Sequence, residues 1–545
     1  MKKSSFIEGT LIATFAIVFT KMLGMFYVIP FYAMVGIQGS ALYAYAYNIY
    51  VIFLDISSAG LPIAVSKLIN EYNTLGMMDA KVRTYKICRR IMIFLAVVIF
   101  LILFVFAPVI AEILLGDLSG GNTIEDVALA IRSVSFAILV VPFLSVTKGY
   151  LQGHKIINVS SFSQVIEQIV RITIILVGGY LILKVFNGSV RTAVCLAVFA
   201  AFIGGVVAYV YVRLKISRDK LLRLDKEHKK DEITDKEITK KLFSYAIPFI
   251  IINVIGSLYN FIDMTLVLRT MNYIGLDAQD VEFITSSIST WAPKINMIIT
   301  SLAMGMSTSL IPTMVSSWTV GDKADVNNKF NQALQLIIFV SVPMALGIML
   351  LSEPIWGIFY GVNKIGSRIL SLYVVAGLLL NVYMTTESAL QGLNKFKLVY
   401  TTTIIGLGLK ILLDVPFMFL LNKLNFYPYL GSILATIVGY TVSILYSLTK
   451  LKKECNMKFM KTKIIALKVL VPTTAMVIVV LISMYFIPYV LGNRLSSVLY
   501  VAINALIGTV VYGGISIAMK IPYAILGKGN VNNYIKKITS IKLFN

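Results

Sequence analysis

Along the chain, long uninterrupted apolar runs are separated by short polar breaks. Fourteen such runs, each long enough at about 20 residues to cross a bilayer core, begin near Ser5, Tyr43, Arg89, Val127, Val159, Arg191, Lys241, Ser286, Asn328, Gly366, Leu398, Leu430, Lys463 and Ser497. They are uniformly apolar rather than alternating over about ten residues, which argues against barrel strands. A bilayer offers no water to backbone groups, so each run must satisfy its own and be helical. The pattern predicts an all-α integral membrane protein of about fourteen transmembrane helices. The opening Met1-Lys2-Lys3-Ser4-Ser5 imitates a secretory signal, yet the run carries Lys21 and no small-x-small cleavage site, so it reads as a retained first helix.

Composition agrees: of 545 residues 58% are hydrophobic and 14% charged. The net charge of +23 would suggest nucleic acid in a soluble protein, but its placement changes its meaning. Lys and Arg crowd into Lys2 and Lys3, the stretch with Lys81, Arg83, Lys86, Arg89 and Arg90, the segment 213–241, the segment 450–468 and the tail after Lys520. The alternate breaks hold Asp117, Glu125 and Asp126, or Asp277, Asp280 and Glu282, with no cation. The positive-inside rule then puts both termini in the cytoplasm of a bacterial cell, around a multi-pass inner-membrane protein, with no nucleic acid as partner. Cys88, Cys195 and Cys455 lack metal or redox spacing, and His154 and His228 are the only histidines. No paired-carboxylate or nucleophile motif stands out, so the reading has no catalytic residue, metal or cofactor and is not that of an enzyme.

The longest polar stretch, 213–240, splits the chain, and the two sides resemble each other. Gly149-Tyr-Leu-Gln-Gly-His-Lys155 recurs as Ala389-Leu-Gln-Gly-Leu-Asn-Lys395, and Gly60 and Gly76 recur as Gly305 and Gly321. A parallel repeat of six helices plus six follows, with a cleft expected between the bundles. The expected organisation is an N-terminal six-helix bundle over 1–215, a cytoplasmic charged linker over 216–240, a second bundle over 241–452, an added helix pair over 463–519 and a cytoplasmic tail over 520–545. Pro30, Pro62, Pro142, Pro248, Pro312, Pro343 and Pro416 fall inside helices and are expected to bend them. The run Tyr43, Tyr45, Tyr47 and Tyr50 reads as an aromatic belt at the membrane interface.

Charges within the membrane are costly and point to a cavity or a partner. Those far from helix ends are Lys21, Asp55, Glu167, Arg171, Asp263, Lys294, Glu387, Lys410 and Asp414. Glu167 and Arg171 are spaced i, i+4 and are expected to form a structural ion pair. Lys21 and Lys294, one in each half, have no opposite charge one turn away. Either they line a cationic cleft for an anionic head group such as a pyrophosphate, or they pair with Asp55, Asp263 or Glu387. Lys21, Lys294, Asp55 and Glu387 are accordingly the candidate substrate-binding residues.

Ala59-Gly-Leu-Pro-Ile-Ala-Val-Ser-Lys67, Gly149-Tyr-Leu-Gln-Gly153, Ser163-Gln-Val-Ile-Glu-Gln-Ile-Val-Arg171 and Leu302-Ala-Met-Gly-Met-Ser-Thr-Ser-Leu-Ile-Pro312 resemble the stage V sporulation protein B type of polysaccharide transporter. That group belongs to the multidrug/oligosaccharidyl-lipid/polysaccharide exporter superfamily and is akin to MurJ-type lipid II flippases. The resemblance implies an alternating-access flippase for undecaprenyl-pyrophosphate-linked cell-wall precursors, lipid II or a related polysaccharide unit, with the added helix pair as a groove for the lipid tail. Its partners would be the lipid-linked oligosaccharide, membrane lipids and cell-wall synthesis proteins, and it would act as a monomer. Thr20-Lys-Met-Leu-Gly24 puts Lys21 at the family's substrate-binding arginine, whereas Tyr27, Leu54 and Asp55 stand where other basic residues are found. The resemblance also assigns ion coupling to Asp263, Asp414 and Thr436, with Lys410 in place of an asparagine of sodium-binding members. The alternatives are a cation-coupled multidrug exporter of the same superfamily, which would want carboxylates and aromatics rather than lysines, and a non-transport scaffold for wall synthesis.

Overall fold

In a computed structural model, residue 16 and residues 19–58, 60–218, 231–490 and 492–527 are described. The N-terminal residues 1–15, most of the charged linker and the tail from residue 528 lie outside them. Every regular element among the described residues is helical. Among the described residues twelve helices are long and apolar enough to cross a membrane, two fewer than the fourteen runs. The first of the twelve, Val28–Thr74, runs through Gly36, and the helix Ala292–Thr319 is not among them. Gly36 interrupts Val28–Ser58 at φ 66°, ψ −166°, backbone angles that only glycine adopts freely, and so separates the first two helices.

The repeat is written in the backbone. Met78–Val105 and Lys323–Leu350 are both 28 residues long, with both ends offset by 245 residues. The short helices that follow them, Ala107–Leu115 and Ser352–Tyr360, keep the same offset. Ahead of each long helix the chain turns at a left-handed glycine, Gly76 (φ 74°) and Gly321 (φ 78°). The turn is closed in one copy by Met77 N donating to Tyr72 O at 2.9 Å and in the other by Asp322 N donating to Ser317 O at 3.0 Å. The Gln-Gly turns match too, through Ile156 N to Leu151 O at 2.9 Å and Lys395 N to Leu390 O at 2.8 Å. Gly149 of this motif has a packing reason: a Cβ there would lie 2.4 Å from Pro62 O, so Val141–Gly153 rests directly on Leu61–Thr74.

By contacts the chain forms two units, one of Met1–Trp291 with Asp414–Ser432, the other of Ala292–Leu413 with Ile433–Asn545. The helix Asp235–Ile274, first of the second repeat, thus groups with the first-half helices, along a line different from that of the sequence repeat. Its contacts explain why. Lys241 pairs with Glu71 at 3.0 Å, Arg83 with Asp235 at 2.7 Å, Lys67 lies 3.8 Å over the Tyr245 ring, and Ser257 donates to Asp55. This helix starts at a capping box in which Thr234 and Glu237 satisfy each other's backbone N–H groups. Pro248, Pro343 and Pro416 lie inside helices, as expected. Pro62 and Pro142 do not; they occupy first turns, where the missing N–H would have no partner in any case.

Candidate functional site

Within the first unit, the helix carrying Lys21 lies against Ile157–Thr173: a Cβ on Gly24 would come 3.3 Å from Gln168 Nε2. Lys21 is half-buried there. Three residues beyond Gln168, Arg171 is not paired with Glu167. Glu167 Oε2 instead accepts from Lys148 Nζ at 2.9 Å, because the Val141–Gly153 helix brings that ammonium across, a partner invisible to an i, i+4 count. Arg171 reaches the other way, donating from Nη2 to Tyr43 Oη at 3.4 Å and lying 5.6 Å from the Tyr47 ring centroid. Tyr43 in turn bonds Tyr27 through their hydroxyls at 3.1 Å and stacks on Tyr47 and Trp291 at 5.7 and 6.0 Å. The tyrosine run is therefore an interior cluster, with Tyr43, Tyr45 and Tyr50 at most 4% exposed, and not an interfacial belt. Tyr27 lends its hydroxyl to this cluster.

The acidic candidates of this unit are held differently. Asp55 is half-buried and accepts from Ser257, so a hydroxyl rather than a lysine faces it. Asp263 is 4% exposed and Asp414 fully buried. The unit closes its polar break at 116–123 with Glu282, a buried carboxylate that accepts from Asn122 N at 2.6 Å and Nδ2 at 2.8 Å.

In the second unit Lys294 is half-buried and sits just after the π-helical stretch Ser287–Trp291, a widened turn of the kind that recurs at functional sites. Two residues on, Asn296 meets the Lys364–Gly392 helix so closely that a Cβ on Gly377 would lie 1.9 Å from its Oδ1. Glu387 is not matched to a lysine; its Oε1 accepts from Thr403 Oγ1 at 2.8 Å, and Thr403 accepts from Tyr383 at 2.9 Å. Lys410 is 0% exposed and donates from Nζ to Thr436 Oγ1 at 2.7 Å, which brings together two of the four coupling candidates. Asp414 stands four residues further along the same helix, Phe396–Lys423.

The added helices Met460–Phe486 and Arg494–Ala518 pack beside Lys323–Leu350 around an apolar cavity of about 470 Å³. Phe339, Pro343, Ile348, Met476, Val480 and Tyr512 are among its walls. Tyr512 spends its hydroxyl on Phe339 O at 2.5 Å, which leaves the walls almost wholly apolar.

A duplicated set of membrane helices with lysines and carboxylates half-buried or buried in both copies defines a multi-pass membrane transporter of the multidrug and polysaccharide exporter class. The chain matches the family described as polysaccharide biosynthesis protein over residues 6–318 and MatE over residues 248–415. It is 35% identical over 529 residues to the lipid II flippase MurJ of Bacillus subtilis (strain 168), a match spanning 93% of this chain and 94% of that protein. It is 22% identical over 456 residues to the stage V sporulation protein B of the same organism, spanning 82% and 84% of the two chains. Among solved structures, a lipid II flippase MurJ in an inward closed conformation aligns with a TM-score of 0.65, at 19% identity over 95% of this chain and 99% of that one. The chain belongs to the polysaccharide biosynthesis protein family, among its MurJ-type flippases.

Proposed function

We propose that this protein is a flippase that moves an undecaprenyl-pyrophosphate-linked cell-wall precursor, lipid II or a related polysaccharide unit, from the inner to the outer leaflet by alternating access. The likeness to a lipid II flippase over nearly the whole chain carries the reading. Two features support it. Lys21 and Lys294 supply one ammonium from each sequence half, and charge-assisted hydrogen bonds from two ammoniums to a diphosphate would each contribute roughly 1.5 to 3 kcal/mol. The apolar cavity beside the added helix pair suits a polyprenyl tail. The substrate-binding group is then Lys21 and Lys294, with Asp55 and Glu387 poised by hydroxyls nearby on their own helices' neighbours.

In this reading both termini and the charged segment 216–240 face the cytoplasm, the bundles over 1–215 and 241–452 exchange access around a cleft, and the chain works as a monomer alongside wall-synthesis proteins. The test is depletion of the protein with the lipid-linked precursors then quantified in each leaflet. Accumulation of one such precursor on the inner leaflet is expected; unchanged precursors in both leaflets would refute the reading. The MatE match over 248–415 favours one rival, a cation-coupled exporter of small amphiphiles, and that rival predicts altered drug efflux with precursors undisturbed.

A further inference from the structure

A second cavity, of about 430 Å³, lies in the first unit and is lined by Tyr85, Lys86, Arg89, Arg90 and Arg213. Two helices contribute its cations: Met78–Val105 brings three and the end of Val190–Arg218 brings Arg213. Tyr85 is 1% exposed and anchors the cavity to the Val141–Gly153 helix through its hydroxyl and Thr147 Oγ1 at 3.2 Å. Two residues before Tyr85, Arg83 forms ion pairs with Asp79 at 2.8 Å and Asp235 at 2.7 Å. Asp231, the next carboxylate available, caps the Ala80 amide at 2.7 Å. Among the described residues none of the four cavity cations forms an ion pair. Four like charges gathered around one concavity repel one another, and an anion bound there would relieve that repulsion.

The position along the helices says which anion. The uncharged run of the first helix begins at Ile91, directly after Arg90, and that of the second ends at Val212, directly before Arg213. Both sets of cations thus stand at the step from polar to apolar sequence, the depth at which lipid phosphates lie. Just past that step the helices expose Phe94 and Val97, and Val207 and Val210, as apolar surface for acyl chains. A soluble phosphate would gain nothing from that apolar surface, whereas a phospholipid uses both parts. Basic pockets between membrane helices are known to hold anionic head groups.

We infer that Lys86, Arg89, Arg90 and Arg213, around Tyr85, form a binding site for the phosphate head group of an anionic membrane phospholipid, separate from the path of the transported lipid. This inference does not depend on the flippase reading. The purified full chain would be compared with Arg89→Gln/Arg213→Gln and with a charge-matched control, Lys364→Gln/Lys461→Gln, by native mass spectrometry and thermal stability. The probes are phosphatidylglycerol, phosphatidylcholine, undecaprenyl pyrophosphate and inorganic phosphate. At about five-fold in affinity per cation near the head group, the cavity variant should retain phosphatidylglycerol roughly twenty-five-fold less well, while the control and the unmodified protein retain it equally. Equal retention by the cavity variant would overturn the site. Stabilisation by inorganic phosphate alone would make it a soluble-anion site, and loss of undecaprenyl pyrophosphate binding with phosphatidylglycerol unaffected would assign it to the transport path; either result also overturns the inference.

Discussion

The fully buried Lys410 offers the sharpest test of how transport is driven. Its ammonium bonds Thr436 at 2.7 Å, and Asp414 stands one helical turn away with no exposure to solvent. Side chains at i, i+4 lie about 5 Å apart, and two unit charges at that distance interact by roughly 3 kcal/mol at an effective dielectric near 20. We expect Lys410→Asn to lose that attraction and to cost about 3 to 5 kcal/mol, since it strands a buried carboxylate. We propose, on the family resemblance, that the Lys410 ammonium takes the place of a coupling cation. The asparagine variant would then accept sodium, and at a hundred times its dissociation constant sodium would restore about 2.7 kcal/mol. Lys410→Met should suffer the same loss with no recovery. The assay is thermal unfolding of detergent-solubilised protein in sodium against potassium chloride at equal ionic strength. Sodium stabilisation of the unmodified protein, with none gained by Lys410→Asn, would show the built-in cation to be wrong.

Three further outcomes are expected. Lys21→Gln and Lys294→Gln, expressed at normal levels, should each abolish transport of the lipid-linked sugar in a leaflet assay, and full transport by both would remove the clamp. Gly60→Ala should destabilise by about 1 to 3 kcal/mol, because its Cβ would fall 2.1 Å from Ala246 O, whereas the repeat-related Gly305→Ala, inside a helix with nothing within 4 Å, should hold or slightly raise the unfolding temperature. A double-mutant cycle should find about 0.5 kcal/mol or more of coupling between Lys148 and Glu167 and little between Glu167 and Arg171; the reverse result would restore the pair that spacing suggests.

Much of the fold is legible before any coordinates because lipid leaves a chain few options. An apolar run of about 20 residues must be a helix, and a repeat of turn residues such as Gly76 and Gly321 carries its own geometry. Partners across helices are another matter. Nothing local links Lys148 to Glu167 or Arg171 to Tyr43; those contacts depend on how Val141–Gly153 and the tyrosine-bearing helix meet Ile157–Thr173. The same limit misplaced the tyrosines, since an aromatic run in a membrane helix looks alike whether it faces head groups or the interior. Pro62 and Pro142 were harder to place for a smaller reason: a one-residue uncertainty in a helix start moves a proline from a kink to a cap. The Asp235–Ile274 helix shows how contact and ancestry diverge, as its salt bridges and the Ser257 bond to Asp55 tie it to helices of the other copy.

Duplication made the halves alike, but one pair of equivalent positions has parted company. Phe94 and Phe339 share the 245-residue offset of their helices; Phe94 is 68% exposed, while Phe339 carries the Tyr512 hydroxyl on its carbonyl and forms part of the cavity wall. The two late helices have roofed over one copy of this face and left the other bare. On the reading proposed above, a lipid tail would find a sheltered apolar face beside one half of the repeat only, and that asymmetry comes from helices that lie outside the repeat.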